Sequence, residues 1–330
     1  MKHTYYDLKQ MQSLPLEAKI IMSQRRIKDW YDHWNGDVYI SFSGGKDSTV
    51  LKHLVETTGG VYNVPSLFVN TGLEYPEIQK FAMSQPNVVT VRPKMRFDEV
   101  LKSYGYPVVS KEIAHKVRIV QSSGKECATY KFLNGTATKK DGTPSLYNRK
   151  KWEYLVDSDF KISDRCCDVM KKNPAKQYEK ETGRKPIIGT LAEESLLRYS
   201  TWLKEGCNSF NSQNPASKPL SFWTEQDILE YIKRFDLPYC SVYGDIVEDQ
   251  DGNLKTTGCD RTGCIFCMFG CHFDKNPNRF QRLKETHPKQ YEYCINGGEY
   301  VDGFWKPNKQ GLGLAHVLDT LGIQYGKEEE

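Results

Sequence analysis

The sequence predicts an α/β protein built on a parallel sheet, with a cysteine-rich extension towards the C-terminus. Three observations carry this. The β-branched run Val38-Tyr39-Ile40 leads into a double-glycine turn, and Val50, Leu51, Leu54 and Val55 follow at helical spacing. Apolar strand-like runs at 65–70 and 88–91 then alternate with a helical stretch from Pro76, and the order β-α-β-α-β calls for parallel strands with right-handed crossovers. Finally, Cys259, Cys264, Cys267 and Cys271 place four thiols within thirteen residues.

The remaining elements follow in order. Residues 14–34 read as an amphipathic helix with Leu16, Ile20, Ile21, Ile27 and Trp30 on its apolar side. Residues 97–101 and 110–121 are helical in pattern. Residues 122–150 are polar and turn-rich, a mobile loop or a lid. Its Lys131, Lys139, Lys140, Arg149 and Lys150, with the adjoining Lys151, offer charge to a polyanion, although such a run is more often a solvated surface. A buried strand is expected at 185–190, and a helix at 224–232 capped by Thr224 with Asp227 three residues on. An Asp251-Gly252-Asn253 turn precedes the cysteine block and a helical C-terminal region. The expected domains are residues 1–245, the α/β domain, and 246–330, the cysteine-rich and helical region.

Composition narrows the class. A chain of 330 residues with 38% hydrophobic and 27% charged content can bury a core, and its net charge of +4 tolerates a nucleic-acid or nucleotide partner without requiring one. No apolar run approaches the roughly 20 residues of a membrane span, and Met1-Lys2-His3-Thr4-Tyr5-Tyr6 lacks a signal-peptide apolar region. Ten cysteines without a secretory signal point to a reducing, cytoplasmic setting and to metal or redox use.

The turn at 41–50 is built for an anion. Gly44 and Gly45 let the backbone bend sharply and approach a ligand, and the first helical amides aim at the same spot with the positive end of the helix dipole behind them. Ser43, Ser48 and Thr49 add hydroxyls and Lys46 adds charge, which suits a phosphate. The Walker pattern G-x-x-x-x-G-K-[ST] cannot be written through these residues. Ligands of parallel sheets sit beyond the carboxyl ends of the strands, so Asn70, Thr71 and Gly72 are expected to face the same pocket.

Ser43-Gly44-Gly45-Lys46-Asp47-Ser48 resembles the SGGxDS signature of the PP-loop ATP pyrophosphatases, the adenine nucleotide alpha hydrolase-like superfamily. Within that group the chain is most similar to the phosphoadenosine phosphosulfate (PAPS) reductase family. The similarity continues through residues 70–77, with Asn70 where the family has Asp, through Cys166-Cys167-Asp168, from Gly189 to Arg198, and from Pro219-Leu220-Ser221-Phe222-Trp223-Thr224 to Tyr243. It covers about residues 36–272. The resemblance implies a Rossmann-like PP-loop core with helices on both faces, binding ATP, or APS or PAPS, with Mg²⁺. It further implies that Ser41, Ser43, Gly44, Gly45, Lys46, Asp47 and Ser48 cradle the nucleotide, and that Asn70, Thr71, Gly72, Gly189, Glu194 and Ser195 complete its site. Lys46, Asp47 and Arg198 are the implied catalytic groups, Asp47 holding the metal.

The thiols admit several ligand sets. Cys259, Cys264, Cys267 and Cys271 match a zinc knuckle. Cys259, Cys264 and Cys267 with distant Cys294 mimic the plant-type two-iron spacing. Cys166-Cys167 with Cys264-x-x-Cys267 forms a third set, and a vicinal pair suits two irons of a [4Fe–4S] cube better than one tetrahedral ion. That arrangement also resembles the cluster site of the assimilatory APS reductases, which implies Cys166, Cys167, Cys264 and Cys267 as ligands. Zinc and other iron–sulfur ligation stay open, with Cys259 and Cys271 as neighbouring thiols or substitutes. Cys127, Cys207 and Cys240 read as buried small residues.

Two departures from the family shape the functional expectation. Its reductases attack sulfur with a cysteine in an E-C-G-(L/I)-H tail, where this chain reads Gly311-Leu312-Gly313-Leu314-Ala315-His316 and closes on Lys327-Glu328-Glu329-Glu330 without a thiol; the last cysteine is Cys294. Leu191 stands where those reductases usually carry an arginine. Three functions follow. The first is an ATP-splitting, cluster-bearing enzyme that adenylylates a target for sulfur transfer, resembling sulfur-transfer proteins of DNA phosphorothioation and tRNA thiolation, with a nucleic-acid or protein sulfur-relay partner. The second is a thiol-dependent APS or PAPS reductase acting through Cys294 or another cysteine outside the usual tail. The third is a non-catalytic nucleotide and cluster sensor.

Overall fold

Val38, Tyr39 and Ile40 are buried on the central strand, β1 (Val38–Ser41). The computed structural model describes residues 3–326; Met1, Lys2 and the Lys327-Glu328-Glu329-Glu330 end lie outside the described residues. Further strands are β2 (Ser66–Val69), β3 (Val88–Val91), β4 (Val108–Val109, outside the main sheet), β5 (Lys185–Ile188), β6 (Asn208–Ser209) and β7 (Ala216–Ser217). The main sheet has the order β3-β2-β1-β5-β7-β6, parallel except for the β6–β7 pair. Ile40 pairs with Ser66 on one side and Ile187 on the other. Strand order therefore reverses beside β1, and the crevice at the carboxyl ends of β1 and β5 is where such sheets receive ligands.

The expected strands at 38–40, 65–70, 88–91 and 185–190 all form. The first long helix spans Leu16–His33 and buries Leu16, Ile27 and Trp30, with Ile20 half-buried. Ile21, expected on the apolar side, is 67% exposed. The stripe that packs runs through 16, 19, 23, 27 and 30, and position 21 falls off it. Polar members of that stripe are matched: Ser23 Oγ donates to the Pro219 carbonyl at 2.9 Å and accepts from Trp223 Nε1 at 2.9 Å. Lys19 Nζ meets Asp227 at 2.7 and 2.8 Å, both side chains buried. Removing one partner of such a pair strands a buried charge and costs about 3–5 kcal/mol. Asp227 also closes the capping box with Thr224 that starts the helix Glu225–Arg234, as its spacing predicts.

The chain divides into two compact units. One holds the residues through Asn70, with Glu74–Arg92 and Asn173–Gly263; the other holds Thr71–Leu73, Pro93–Lys172 and the residues from Cys264 onward. The sequence places the boundary near 245 instead. The difference has a physical origin: the Cys166-Cys167 segment and the Cys264–Cys267 turn share one cavity, so segments distant in sequence fold together. The second unit contains β4 paired in parallel with Met268–Phe269, the hairpin Glu299–Val301 with Phe304–Lys306, and helices that include Phe97–Tyr104, Lys111–Ser123 and Arg279–Thr286. The polar segment 122–150 carries structure of its own, a short helix Tyr130–Leu133 and bonds from Asn148 Nδ2 to the carbonyls of Gly135 and Ala137, both 3.0 Å. Among the described residues no helix is long and apolar enough to cross a membrane.

Candidate functional site

The turn after β1 is held by its own hydroxyls. The Ser43 amide donates to Ser48 Oγ at 3.2 Å, and the two serine oxygens lie 3.1 Å apart. The Gly45 amide reaches Ser43 Oγ at 3.3 Å, while Ser48 Oγ and Thr49 Oγ1 donate back to the Gly45 carbonyl at 2.9 and 3.1 Å. Gly44 has φ +73°, and a Cβ there would meet the Ile78 carbonyl at 3.0 Å, so glycine is required on two counts. Gly45 then caps the helix Lys46–Thr57 without a side-chain cap, so the amides of its first turn lie at the loop.

One cavity opens at this point. Ser41, Ser43, Gly45, Lys46, Asp47, Ser48, Gly189, Glu194 and Arg198 line it, together with Tyr243, Arg261 and Thr262. Lys46 is buried; its Nζ donates to the Asp260 carbonyl at 2.6 Å, pairs with Glu225 at 2.9 Å and stands 5.3 Å over the Tyr243 ring. The Lys46 amide donates to the Tyr243 hydroxyl at 3.3 Å, and that hydroxyl is hydrogen-bonded to Thr262 Oγ1 at 2.7 Å. Arg198 and Arg261 both pair with Glu194. Three cations thus converge on the loop, each met by protein oxygen. Leu191, buried, lines the adjoining recess with Lys46, Asp47 and Glu225.

Desolvation shifts the groups around this cavity. It lowers the Arg198 guanidinium, weakening its hold on the proton, and raises the Glu193 carboxyl. The Asp47 carboxyl is raised above its ordinary 3.8, burial outweighing the pull of Lys46. The folded chain therefore keeps this proton to higher pH than the unfolded chain, so stability falls as pH rises from 3.8 through the raised value. Asp47→Asn removes that cost. The ligand-free variant is expected to melt at or above the parent at neutral pH, the two converging below about pH 4, as thermal denaturation across pH will show; a lower melting point at neutral pH would mean that the carboxylate is favoured in place.

Several expected site residues lie elsewhere. Asn70 is buried at the end of β2 with Nδ2 3.9 Å from Met83 Sδ, and it does not line the cavity. Thr71, whose Oγ1 accepts from the Leu73 amide at 3.1 Å, and Gly72 belong to the other unit. Ser195 caps the helix Leu196–Glu205 by accepting from the Arg198 amide, which fixes the helix that carries Arg198 rather than a ligand. Gly44 underlies the loop without lining the cavity. Conversely, the fold brings Tyr243, Thr262, Arg261 and Glu225 to the loop, residues that no local motif marks. Arg261 and Thr262 sit between Cys259 and Cys264, where the thiols draw attention away from them.

A second cavity lies in the other unit. Cys166, Cys167, Cys264 and Cys267 line it with Leu73, Phe97, Pro107, Met170 and Lys171. The Cys166 and Cys167 sulfurs are 3.9 Å apart, and a wide π-type turn, Asp168–Lys172, follows them. The hydrogen bond between them raises the Cys166 thiol and lowers that of Cys167, which Lys111 and Lys171 lower further. Arg279 secures the opposite wall by donating to the carbonyls of Cys267 and Phe269, both at 3.0 Å, while held by Asp274 at 2.7 Å. Among the described residues no group of three or more His, Cys, Asp or Glu side chains gathers as a site for a single metal ion. Cys271 is buried and donates to the Met268 carbonyl at 2.9 Å. Cys259 falls in the first unit. Cys294 is fully buried, and burial pushes its thiol well above the ordinary range.

Comparison with known proteins places these sites in context. Residues 37–106 and 128–269, well over half of the chain, match the family model described as the phosphoadenosine phosphosulfate reductase domain. Among curated proteins, uncharacterized protein MJ0066 of Methanocaldococcus jannaschii is 22% identical over 272 residues, covering 82% of this chain and 43% of that one. The chain thus spans less than half the length of that relative. Among solved structures, the phosphoadenylyl-sulfate (PAPS) reductase of Candida auris in a phosphate complex is 16% identical with a TM-score of 0.38, covering 77% of this chain and 98% of that one. The U34-tRNA thiolase NcsA of Methanococcus maripaludis with its [4Fe-4S] cluster is 15% identical with a TM-score of 0.35, covering 95% and 92%.

Proposed function

Because the chain belongs to the phosphoadenosine phosphosulfate reductase family, we propose that its glycine-loop cavity binds ATP and splits it to AMP and pyrophosphate, activating a target for sulfur transfer. The observation that carries this reading is the convergence of Lys46, Arg198 and Arg261 on one amide-lined turn. Three cations and a helix N-terminus match a polyphosphate, whose charge shifts onto the leaving oxygens as the bond breaks. The loop amides, Ser43 and Ser48 would hold the phosphates, and Lys46 would offset charge on the departing pyrophosphate. A nucleophilic oxygen of the target attacks the α-phosphorus. The bond from that phosphorus to the bridging oxygen breaks, and pyrophosphate leaves with the electron pair. A sulfur nucleophile then displaces AMP. Asp47, once ionised, would hold Mg²⁺ beside the phosphates.

The cysteine cavity is the companion site. Cys166, Cys167, Cys264 and Cys267 line one apolar cavity, where they would hold a [4Fe–4S] cluster, one thiolate to each iron. The 3.9 Å between the Cys166 and Cys167 sulfurs also suits a single tetrahedral ion with metal–sulfur bonds of about 2.3 Å, so iron and sulfide content decides between the two. When bound, such a cluster supplies electron-transfer or sulfur-carrying chemistry. This chain's part is the apolar wall, the four thiols and Arg279, which steadies the carbonyl of Cys267.

A sulfonucleotide reductase acting through Cys294 is not favoured, because that thiol is buried and held protonated. Cys294→Ser is therefore expected to leave ATP-dependent activity within about twofold of the parent, the usual range for a buried near-isosteric change off the site. Neither form should release sulfite from APS or PAPS with thioredoxin. Sulfite release that Cys294→Ser abolishes would support the reductase instead.

A further inference from the structure

Within the second unit, Tyr154, Trp152, His272 and Phe273 form a chain of rings. Centroid separations are 6.3 Å from Tyr154 to Trp152, 5.1 Å from Trp152 to His272 and 3.9 Å from His272 to Phe273. Much of this ring surface faces solvent, Tyr154 at 45% and Phe273 at 81% exposed. Lys151 places its ammonium 5.0 Å over the Trp152 ring, and exposed Lys150 precedes it. The neighbouring sequence is basic on balance: residues 131–154 contain Lys131, Lys139, Lys140, Arg149, Lys150 and Lys151 against the acids Asp141 and Glu153, with Arg149 paired to Glu112 at 3.6 Å and Glu153 held by the Tyr130 hydroxyl at 2.7 Å. The segment is fastened to these residues, with Arg149 N–H donating to the Phe132 carbonyl at 2.7 Å and Lys150 packed beside Gly135.

We infer that this face binds single-stranded nucleic acid, unpaired bases stacking on the exposed rings and phosphates meeting the lysines. Charge alone would suit any polyanion. The rings narrow the partner, because every base offers a flat π-face and an acidic peptide offers none. In a duplex those faces are stacked inside, so the partner is single-stranded or looped. Its role as the acceptor for sulfur rests on the activation proposed above; the binding itself does not.

Fluorescence anisotropy of the whole chain with labelled RNA and DNA strands of about 16 nucleotides tests this. Competitors are a duplex of equal length, polyglutamate and anionic phospholipid vesicles. Single strands should bind, less tightly as salt rises. Phe273→Ala should weaken binding about fivefold or more, and the Lys150→Glu, Lys151→Glu double variant by more than about tenfold. Phe273 is mostly exposed, so its loss should leave the melting temperature unchanged, and both variants should bind ATP as the parent does. Single-strand binding that neither variant alters would overturn the inference, as would equal competition by polyglutamate or association with vesicles alone. ATP-dependent pyrophosphate release is scored in parallel. Strand binding without it would preserve this interface and remove the activation reading; pyrophosphate release without strand binding would do the reverse.

Discussion

Lys46→Ala is expected to lower ATP-dependent pyrophosphate release by at least about a hundredfold, the usual cost of removing one preorganised charge donor from a reacting centre. The effect should fall mainly on kcat, since the loop amides and serines that hold ground-state phosphates remain. The Lys46 ammonium is placed by three neighbours: the Asp260 carbonyl at 2.6 Å, Glu225 at 2.9 Å and the Tyr243 ring face at 5.3 Å. Its position is therefore fixed before substrate arrives, and little reorganisation is left for the reaction step. Lys46→Arg should rescue poorly, because the longer planar guanidinium does not fit a point between a carbonyl and a ring. Steady-state release of pyrophosphate with the target present, resolved into kcat and KM, is the measurement. A variant that loses only affinity would mean that Lys46 binds substrate without acting on the transition state.

Cys167→Ser and Cys267→Ser are each expected to lower bound iron and acid-labile sulfide by at least about tenfold and to remove visible absorption from anaerobically prepared protein. Serine keeps the shape of cysteine and removes the soft donor, so packing in the apolar cavity should hold. Cys207→Ala is the control, its thiol buried in the other unit with Ser221 Oγ at 3.3 Å. ATP binding should persist in both ligand variants, because the nucleotide cavity contains no cysteine. Parent protein carrying stoichiometric zinc and no iron would contradict the cluster assignment.

The legible parts of this chain were the local ones. Strand β1, the two glycines and the helix behind them follow from eighteen contiguous residues, Val38 to Val55, and the cap at Thr224 follows from four. Vicinal Cys166-Cys167 and Cys264-x-x-Cys267 stood out by spacing, and the fold lines one cavity with all four. What remained hidden depends on long-range register. Tyr243 meets the Lys46 amide from 197 positions away, and Asp260 meets its ammonium from 214. No local periodicity encodes such contacts. Arg261 was hidden by its neighbours, since the cysteines around it invited a reading as metal chemistry. Its guanidinium supplies a cation to the glycine-loop cavity and lines the adjoining recess with Leu191. Asn70 is a further case of side-chain direction that a strand pattern does not encode: it sits at the end of β2 with Nδ2 3.9 Å from Met83 Sδ, off the lining of the glycine-loop cavity.

The claim that the glycine loop splits ATP between the α- and β-phosphates is tested most directly by product analysis. Parent protein prepared anaerobically is incubated with Mg²⁺, ATP labelled separately at the α- and γ-phosphates, and single-stranded RNA or DNA, and the products are separated. The predicted result is γ-label in pyrophosphate and α-label carried on the strand as its adenylylated form, the α-label leaving as AMP once a sulfur nucleophile such as sulfide is added, and all of it lost in Lys46→Ala. Label accumulating in ADP and inorganic phosphate instead would contradict it.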